Sequence, residues 1–231
     1  MILRHLLDDA RIDPAVSALR PDYRVALILA EGLVGGPGDA ASEALLAAAE
    51  LSARHALLST PVDELPHIAA WRDAYRAFGA RPQRERNSAE ALIRRAASSG
   101  LPRINRLTDI YNAISVLHQI PVGGEDADRY EGAPRLIRAD GSEHFDTVAD
   151  GEPVVERPEP GEVVWADGAG VTCRRWNWRQ GVRTRLDDGT VNGLFILDAL
   201  GPVDDAGLAR ITDELAAHLG GTVTTRMLAA G

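Results

Sequence analysis

The sequence changes character at Pro121, and this change constrains the fold more than any other feature. Before it, one short apolar run, Tyr23–Glu31, indicates a buried strand and is followed by segments with helical spacing of apolar residues. After it, short segments typical of strands alternate with turns that contain Gly or Pro, until a final amphipathic helix at Asp204–Leu219. This order predicts an α+β fold rather than alternating α/β: one strand, then several helices, a run of strands and a closing helix.

The boundaries follow from capping residues and turn signals. We expect four helices before residue 121: one capped by Asp39 or Ser42 and ending near 58, one from Asp63 or Pro66 to Phe78, one from Ser88 to about 99, and one over 107–120. We expect strands over 135–139, 143–145, 162–166, 171–176, 183–186 and 194–197.

The charges are distributed unevenly along the chain. All 25 basic residues are arginine, and 34 acidic residues give a net charge of −9, which argues against a protein that coats duplex DNA. Locally the balance reverses, because Arg72–Arg106 contains nine arginines and three acidic residues, and a second cluster without acids spans Arg174–Arg185. These are candidate basic faces, and one hypothesis makes the first a surface for a protein partner.

The common catalytic and cofactor motifs are not found. The glycines of Gly32–Gly38 have neither the GxGxxG nor the GK[ST] spacing, so we interpret them as a structural turn, and no GxSxG or paired histidine motif occurs. We therefore expect no cofactor and no metal. The single cysteine, Cys173, excludes an intramolecular disulfide, and no apolar run approaches the ~20 residues of a membrane span. We expect a soluble, cytoplasmic protein without a membrane partner.

Two passages are harder to explain as scaffold. In the first, Asn105, Asp109 and Asn112 share one face of the expected fourth helix, where they either line a pocket or act as a cap and a solvated stripe. The second is the segment 173–180, CRRWNWRQ. As a strand it would place side chains alternately on two faces. The first face would carry Arg174, Trp176, Trp178 and Gln180, and the second Arg175, Asn177 and Arg179. Aromatic rings beside guanidinium groups suit base stacking and phosphate contact, whereas two core tryptophans beside a solvated edge are the alternative.

Three stretches in these regions together resemble the B3/B4 domain of the phenylalanyl-tRNA synthetase β subunit, and free-standing bacterial proteins built from that domain. They are LPRINRLTDIYNAISVLHQIPVGGEDADRYEG (101–132), RLIRADGSEHFDTVADGE (135–152) and GEVVWADGAGVTCRRWNWRQ (161–180). The resemblance is strongest over residues 20–200 and implies one B3/B4-type domain over 1–231, with helices packed against a mixed sheet. It also implies an RNA-binding module that takes the aminoacylated 3′ end of a tRNA and hydrolyses mischarged esters in trans, without ligase activity of its own.

The resemblance assigns roles residue by residue. Asn112 falls on the position of the family's pocket asparagine in Asp109-Ile-Tyr-Asn112, and Asp198 on the acidic residue near the end of the last strand. We therefore expect Asn112 and Asp198 to be catalytic. Gly123 stands where the family has a pocket histidine, so the family's tyrosine specificity does not carry over. The expected substrate-binding residues are Asp109, Arg174, Arg175, Trp176, Asn177, Trp178, Arg179 and Gln180. The alternative is a non-catalytic protein that binds a free amino acid or small metabolite in the same pocket.

Overall fold

The computed structural model describes residues 3–230. The helices are α1 (His5–Asp8), α2 (Pro14–Leu19), α3 (Ala40–Ala56), α4 (Pro66–Ala77), α5 (Ser88–Ser98), α6 (Arg106–His118) and α7 (Asp205–Leu219). The strands are β1 (Arg11–Ile12), β2 (Arg24–Glu31), β3 (Val122–Asp126), β4 (Arg135–Arg138), β5 (Phe145–Ala149), β6 (Glu152–Glu156), β7 (Val163–Ala166), β8 (Val171–Arg174), β9 (Arg179–Gln180), β10 (Gly193–Ala199) and β11 (Thr222–Ala229).

The strands form two main sheets and a hairpin. The first sheet has the order β11-β2-β10-β3 and is antiparallel throughout. The second has the order β1-β4-β7-β8-β9 and is mixed, because β1 runs parallel to β4 while the other pairs are antiparallel. Strands β5 and β6 form the separate hairpin. The fold is therefore α+β with a mixed sheet, as predicted.

The two faces of the first sheet bury different cores. Strand β2 alternates, so that Leu27 and Leu29 face a core shared with Trp165 of the second sheet and with α4, whereas Ile28 faces a second core against α6 and α7. A third core joins α3, α5 and α6. Strand β3 is an edge strand of the first sheet, and the space beside it becomes the site described below.

The capping residues explain why helices α3 to α7 match the prediction closely, whereas the short helices α1 and α2 were not predicted. Asp39 and Ser42 form a reciprocal capping box at the start of α3, Asn105 caps α6, and Asp204 caps α7. The strand boundaries needed more correction. The strand expected over 143–145 begins at Phe145 and runs to Ala149, and the strand expected over 183–186 is wrong, because that segment makes only an isolated bridge between Glu125 and Arg185.

Candidate functional site

A cavity of about 260 Å³ opens beside the edge strand β3. Its walls come from the first turn of α5, from α6, from β3 and β10, and from the segment that connects β8 to β9. Ligand pockets commonly measure roughly 300–1,000 Å³, so this cavity is slightly smaller than that range and suits a small ligand such as an amino acid. The expected site residues that line it are Asn112, Trp176, Asn177, Trp178, Arg179, Gln180 and Asp198.

Helix α6 contributes one open polar group to this cavity. Asn105 accepts a hydrogen bond from Thr108 N at 2.8 Å as the N-cap, and Asp109 accepts one from Ile104 N at 2.9 Å. Both therefore stabilise the start of the helix, and the prediction that Asp109 binds substrate is corrected: it lies outside the cavity. Asn112 lines the cavity, and its side-chain amide bonds to no residue among those described. That amide is free for a ligand.

The segment 173–180 is a tight connection rather than one strand. Strand β8 ends at Arg174, and the next two residues, Arg175 (φ 45°) and Trp176 (φ 66°), lie in the left-handed region before the chain returns as β9. Such conformations cost about 1–3 kcal/mol each in residues other than glycine and cluster at functional sites. Here the turn brings Asn177 and Trp178 to the cavity wall. The predicted alternation of faces from 173 to 180 is therefore wrong.

This turn gives the two tryptophans different roles. Trp176 is fully buried, with ring centroids 5.0 Å from Tyr23 and 5.3 Å from Trp71, both edge to face. Its ring belongs to the core and has no free face for a base, which corrects its predicted stacking role. Trp178 is partly exposed, and two guanidinium groups lie against its ring, that of Arg175 at 4.3 Å and that of Arg179 at 5.7 Å from the centroid. Trp178 is the stacking candidate that remains.

The three arginines of this segment are held by carboxylates. Arg174 lies outside the cavity and is buried, with hydrogen bonds of 2.8–2.9 Å to Glu162 and 2.8 Å to Glu156. Arg175 also lies outside the cavity and pairs with Glu85 at 3.2 Å. Arg179 borders the cavity, but its guanidinium pairs with Glu156 at 3.1 Å. The prediction that Arg174, Arg175 and Arg179 face a phosphate is therefore corrected, because their charges are neutralised within the fold.

Asp198 stands at the end of a buried hydrogen-bond chain. Tyr23 OH donates to Asp198 Oδ1 at 2.5 Å, Asn177 Nδ2 donates to Asp198 Oδ2 at 3.3 Å, and Tyr75 OH donates to Asn177 Oδ1 at 3.0 Å. Burial raises the pKa of Asp198 to about 7, although both donors favour its ionised form. The carboxyl is thus fixed in orientation and able to exchange a proton near neutral pH.

Glu125 is a site residue that sequence reasoning missed. It lines the cavity from β3, receives a hydrogen bond from Tyr130 OH, and has its pKa raised to about 7 by burial. Its register partner is Leu194, four residues before Asp198 on β10, so the two acids share one face of the sheet roughly 13 Å apart along the strands. The acidic stretch that begins at Glu125 has the pattern of a solvated loop, and only the pairing of β3 with β10 indicates its burial.

The remaining wall is mostly apolar, with Ser88 and Tyr111 as polar residues and with two N–H donors. Gln180 Nε2 donates a hydrogen bond to Gly124 O at 3.0 Å. The same nitrogen would lie only 3.1 Å from a Cβ at position 123, which is a glycine. The indole Nε1–H of Trp165 is also buried on the cavity wall, and no acceptor among residues 3–230 lies in good hydrogen-bond geometry with it. Cys173 also lines the cavity, but burial raises the pKa of its thiol well above the ordinary value, which disfavours the nucleophilic thiolate. The arrangement suits a small ligand with both an ammonium group and carbonyl acceptors.

Residues 3–230 contain neither a metal-binding cluster nor a membrane-spanning helix. In that range, no group of three or more His, Cys, Asp or Glu side chains is placed to hold a metal ion. His118, near the acidic stretch in sequence, instead contacts Glu214 Oε2 at 2.9 Å. None of the helices described is long and apolar enough to cross a membrane.

The α+β architecture thus places the cavity at the edge strand β3, and this cavity is the candidate site. The chain belongs to the B3/4 domain family, whose model matches residues 70–213. Among solved structures it is similar to an N-terminal fragment of the phenylalanyl-tRNA synthetase β-subunit from Pyrococcus horikoshii, with 13% identity and a TM-score of 0.46. That match covers 93% of this chain and 49% of the other, so the chain spans about half the length of that fragment. No protein of curated function matches the chain in sequence.

Proposed function

We propose that the chain binds the aminoacyl group at the 3′ end of a tRNA in this cavity and hydrolyses its ester in trans. The observation that carries the proposal is the unpartnered amide of Asn112 in a cavity of amino-acid size that also contains two buried acids. Membership of the B3/4 family supports it. We expect the activity in the cytoplasm, where charged tRNAs are used.

The ester needs a positioned water and stabilisation of the developing oxyanion rather than a catalytic triad. In this mechanism the amide of Asn112 donates to the carbonyl oxygen, and Glu125 pairs with the α-ammonium group. Asp198 in its ionised form accepts a proton as water attacks the carbonyl carbon, and returns that proton to the departing ribose oxygen. Because its pKa is about 7, a substantial fraction of Asp198 is ionised at neutral pH.

The direct test measures release of labelled amino acid from a panel of correctly and wrongly charged tRNAs. Wild type should release it from one or a few members of the panel. Asn112→Ala and Asp198→Asn should lower turnover by 10²-fold or more, the usual scale for an oxyanion donor. Asn192→Ala is the matched control, since Asn192 is an asparagine outside the cavity whose amide contacts Asp128. Equal rates in all four proteins, or no release by wild type, would refute the proposal.

A second candidate function is binding of a free amino acid or small metabolite without catalysis. The ion-paired state of Arg174, Arg175 and Arg179 favours it, because a free amino acid needs no phosphate contact. Isothermal titration with single amino acids distinguishes the two. Saturable binding that Asn112→Ala weakens, in a protein that hydrolyses no ester, is the expected result for this candidate.

A further inference from the structure

The loop between α4 and α5, residues 78–87, lies against the wall of the cavity. Its end leads into Ser88, which lines the cavity and whose N–H donates to Asn177 O at 3.0 Å. Its middle is fixed by the 3.2 Å ion pair between Glu85 and Arg175. The loop is thus attached at two points to the turn that presents Asn177 and Trp178.

This 78–87 loop exposes three arginines, Arg81, Arg84 and Arg86. The guanidinium groups of Arg81 and Arg84 pair with no carboxylate in the part of the chain that the structure describes. Arg86 Nε lies 3.7 Å from Glu90 Oε1, an oxygen that already accepts hydrogen bonds from two other arginines. The loop therefore carries positive charge that its own fold leaves largely uncompensated.

Most of the other arginines in the basic stretch 72–106 are neutralised. Arg72 bonds to Glu90, and Arg94 contacts both Glu90 and Asp63. The other pairs are Arg76 with Asp73, Arg103 with Glu43, and Arg106 with Asp39. The uncompensated positive charge of this basic stretch thus lies mainly in the 78–87 loop, together with Arg95, whose Nε donates to Gly100 O. In a chain of net charge −9, such a patch is a local attractor for a polyanion.

We propose that the 78–87 loop holds the phosphate backbone of the tRNA acceptor end while the terminal adenine stacks on Trp178. This rests on the proposed function. In this arrangement the cavity takes the amino acid and Trp178 on its wall takes the base. The loop that is attached to the same turn through Ser88 and Glu85 then offers Arg81, Arg84 and Arg86 to the phosphates. A guanidinium group binds phosphate oxygens bidentately, and an aromatic plane accepts any base. The depression on the other side of the loop contains the exposed carboxylate of Glu159, which would repel the phosphates of an RNA backbone placed there.

An RNA ligand is favoured over an acidic protein because the loop adjoins a cavity with groups suited to an aminoacyl ester. An acidic protein partner would use the arginines but would leave the cavity and Trp178 unexplained. If the loop binds RNA, its arginines should matter for a long substrate and not for a short one. Phosphate contacts help a full-length tRNA and give no advantage to an aminoacyl-adenosine, which lacks the backbone.

The test replaces Arg81, Arg84 and Arg86 together by glutamine. The control replaces Arg11, Arg54 and Arg210 by glutamine, three exposed arginines outside the loop and the cavity wall. Binding of uncharged tRNA is measured from 50 to 200 mM salt, and kcat/KM for hydrolysis is measured with the charged tRNA and with the aminoacyl-adenosine. Thermal unfolding confirms that both triple variants are folded.

The loop variant should flatten the slope of log K against log salt by about 2 to 3, the value for three lost phosphate contacts, and the control should not. Its kcat/KM should fall at least tenfold for charged tRNA and stay unchanged for aminoacyl-adenosine. Unchanged tRNA affinity and slope with hydrolysis retained would overturn this inference alone and return the loop to the hypothesis of a protein-partner face. Failure of wild type to bind tRNA or hydrolyse either ester would refute the proposed function and this inference together.

Discussion

The two buried acids predict an unusual dependence of stability on pH. Burial raises the pKa of Asp198 from 3.8 to about 7 and that of Glu125 from 4.5 to about 7. Because the folded state binds each proton more tightly than the unfolded state, the stabilising contribution is complete below pH 4 and is lost as the pH rises to about 7. At about 1.4 kcal/mol per pKa unit, the losses are roughly 4 and 3 kcal/mol.

His67 acts in the opposite direction. Its burial lowers its pKa from 6.5 to about 4, so its contribution is complete above pH 6.5 and is lost as the pH falls towards 4. Between pH 4.5 and 6.5 the histidine cancels the effect of one of the two acids. The free energy of unfolding therefore falls by about 1.4 kcal/mol for each unit of rising pH. We therefore expect the free energy of unfolding to be roughly 3 kcal/mol higher at pH 5 than at pH 7.5. This difference should be measurable, because domains are commonly stable by about 5–15 kcal/mol.

Asp198→Asn isolates one of these contributions, because it places a neutral side chain of the same shape in the buried hydrogen-bond chain. The free energy of unfolding of the variant, measured relative to that of wild type, should rise by roughly 4 kcal/mol between pH 4 and pH 8. This change does not depend on the difference between the two proteins at pH 4. Urea unfolding followed by tryptophan fluorescence at half-unit pH steps measures the difference. Asp213→Asn, at an exposed position on α7, is the control and should give a curve parallel to that of wild type. A parallel curve for Asp198→Asn would refute the assignment of a buried, proton-binding carboxyl.

Three further substitutions test the packing and the cavity. Arg174→Met removes the guanidinium that bonds to buried Glu162 and should cost about 3 kcal/mol in urea unfolding; a loss below 1 kcal/mol would contradict a buried ion pair. Gly124→Ala places a Cβ 2.9 Å from three side chains and should cost about 1–3 kcal/mol in the same assay, so a neutral effect would argue against the close approach. Trp178→Leu should raise KM for charged tRNA roughly tenfold with kcat retained, and an unchanged KM would exclude stacking on this ring.

Helices α3 to α7 were predictable because their signals are local, whereas the short α1 and α2 were missed. The apolar spacing of α3 and α7 and the caps at Asp39 and Asp204 are contained within a few residues of each helix end. Strand β3 was missed because its Val-Gly-Gly-Glu-Asp sequence has weak strand propensity. It is a strand because β10 pairs with all five of its residues from a distant part of the chain. Strand β11 was missed as well, and it too is held by long-range pairing, with β2.

The site was predictable to the extent that its residues lie within motifs. Asn112 and Asp198 both line the cavity, and their catalytic roles stay predictions. The environment of the arginines was not predictable, since Glu85 and Glu156, which neutralise Arg175 and Arg179, come from other elements. A strand pattern over 173–180 also could not reveal two consecutive left-handed residues, because arginine and tryptophan rarely adopt them.

Those left-handed residues connect the energetics to the site. An extended chain through Arg175 and Trp176 would continue β8 and carry Asn177 away from Asp198, whereas the turn places the Asn177 amide within 3.3 Å of that carboxyl. The strain of roughly 1–3 kcal/mol per residue is offset by the aromatic packing of Trp176 in the core. The same turn positions Arg175 to hold the 78–87 loop through Glu85. Cavity, stacking surface and basic loop are therefore linked through one four-residue turn, and a substitution that relaxes it should impair all three together.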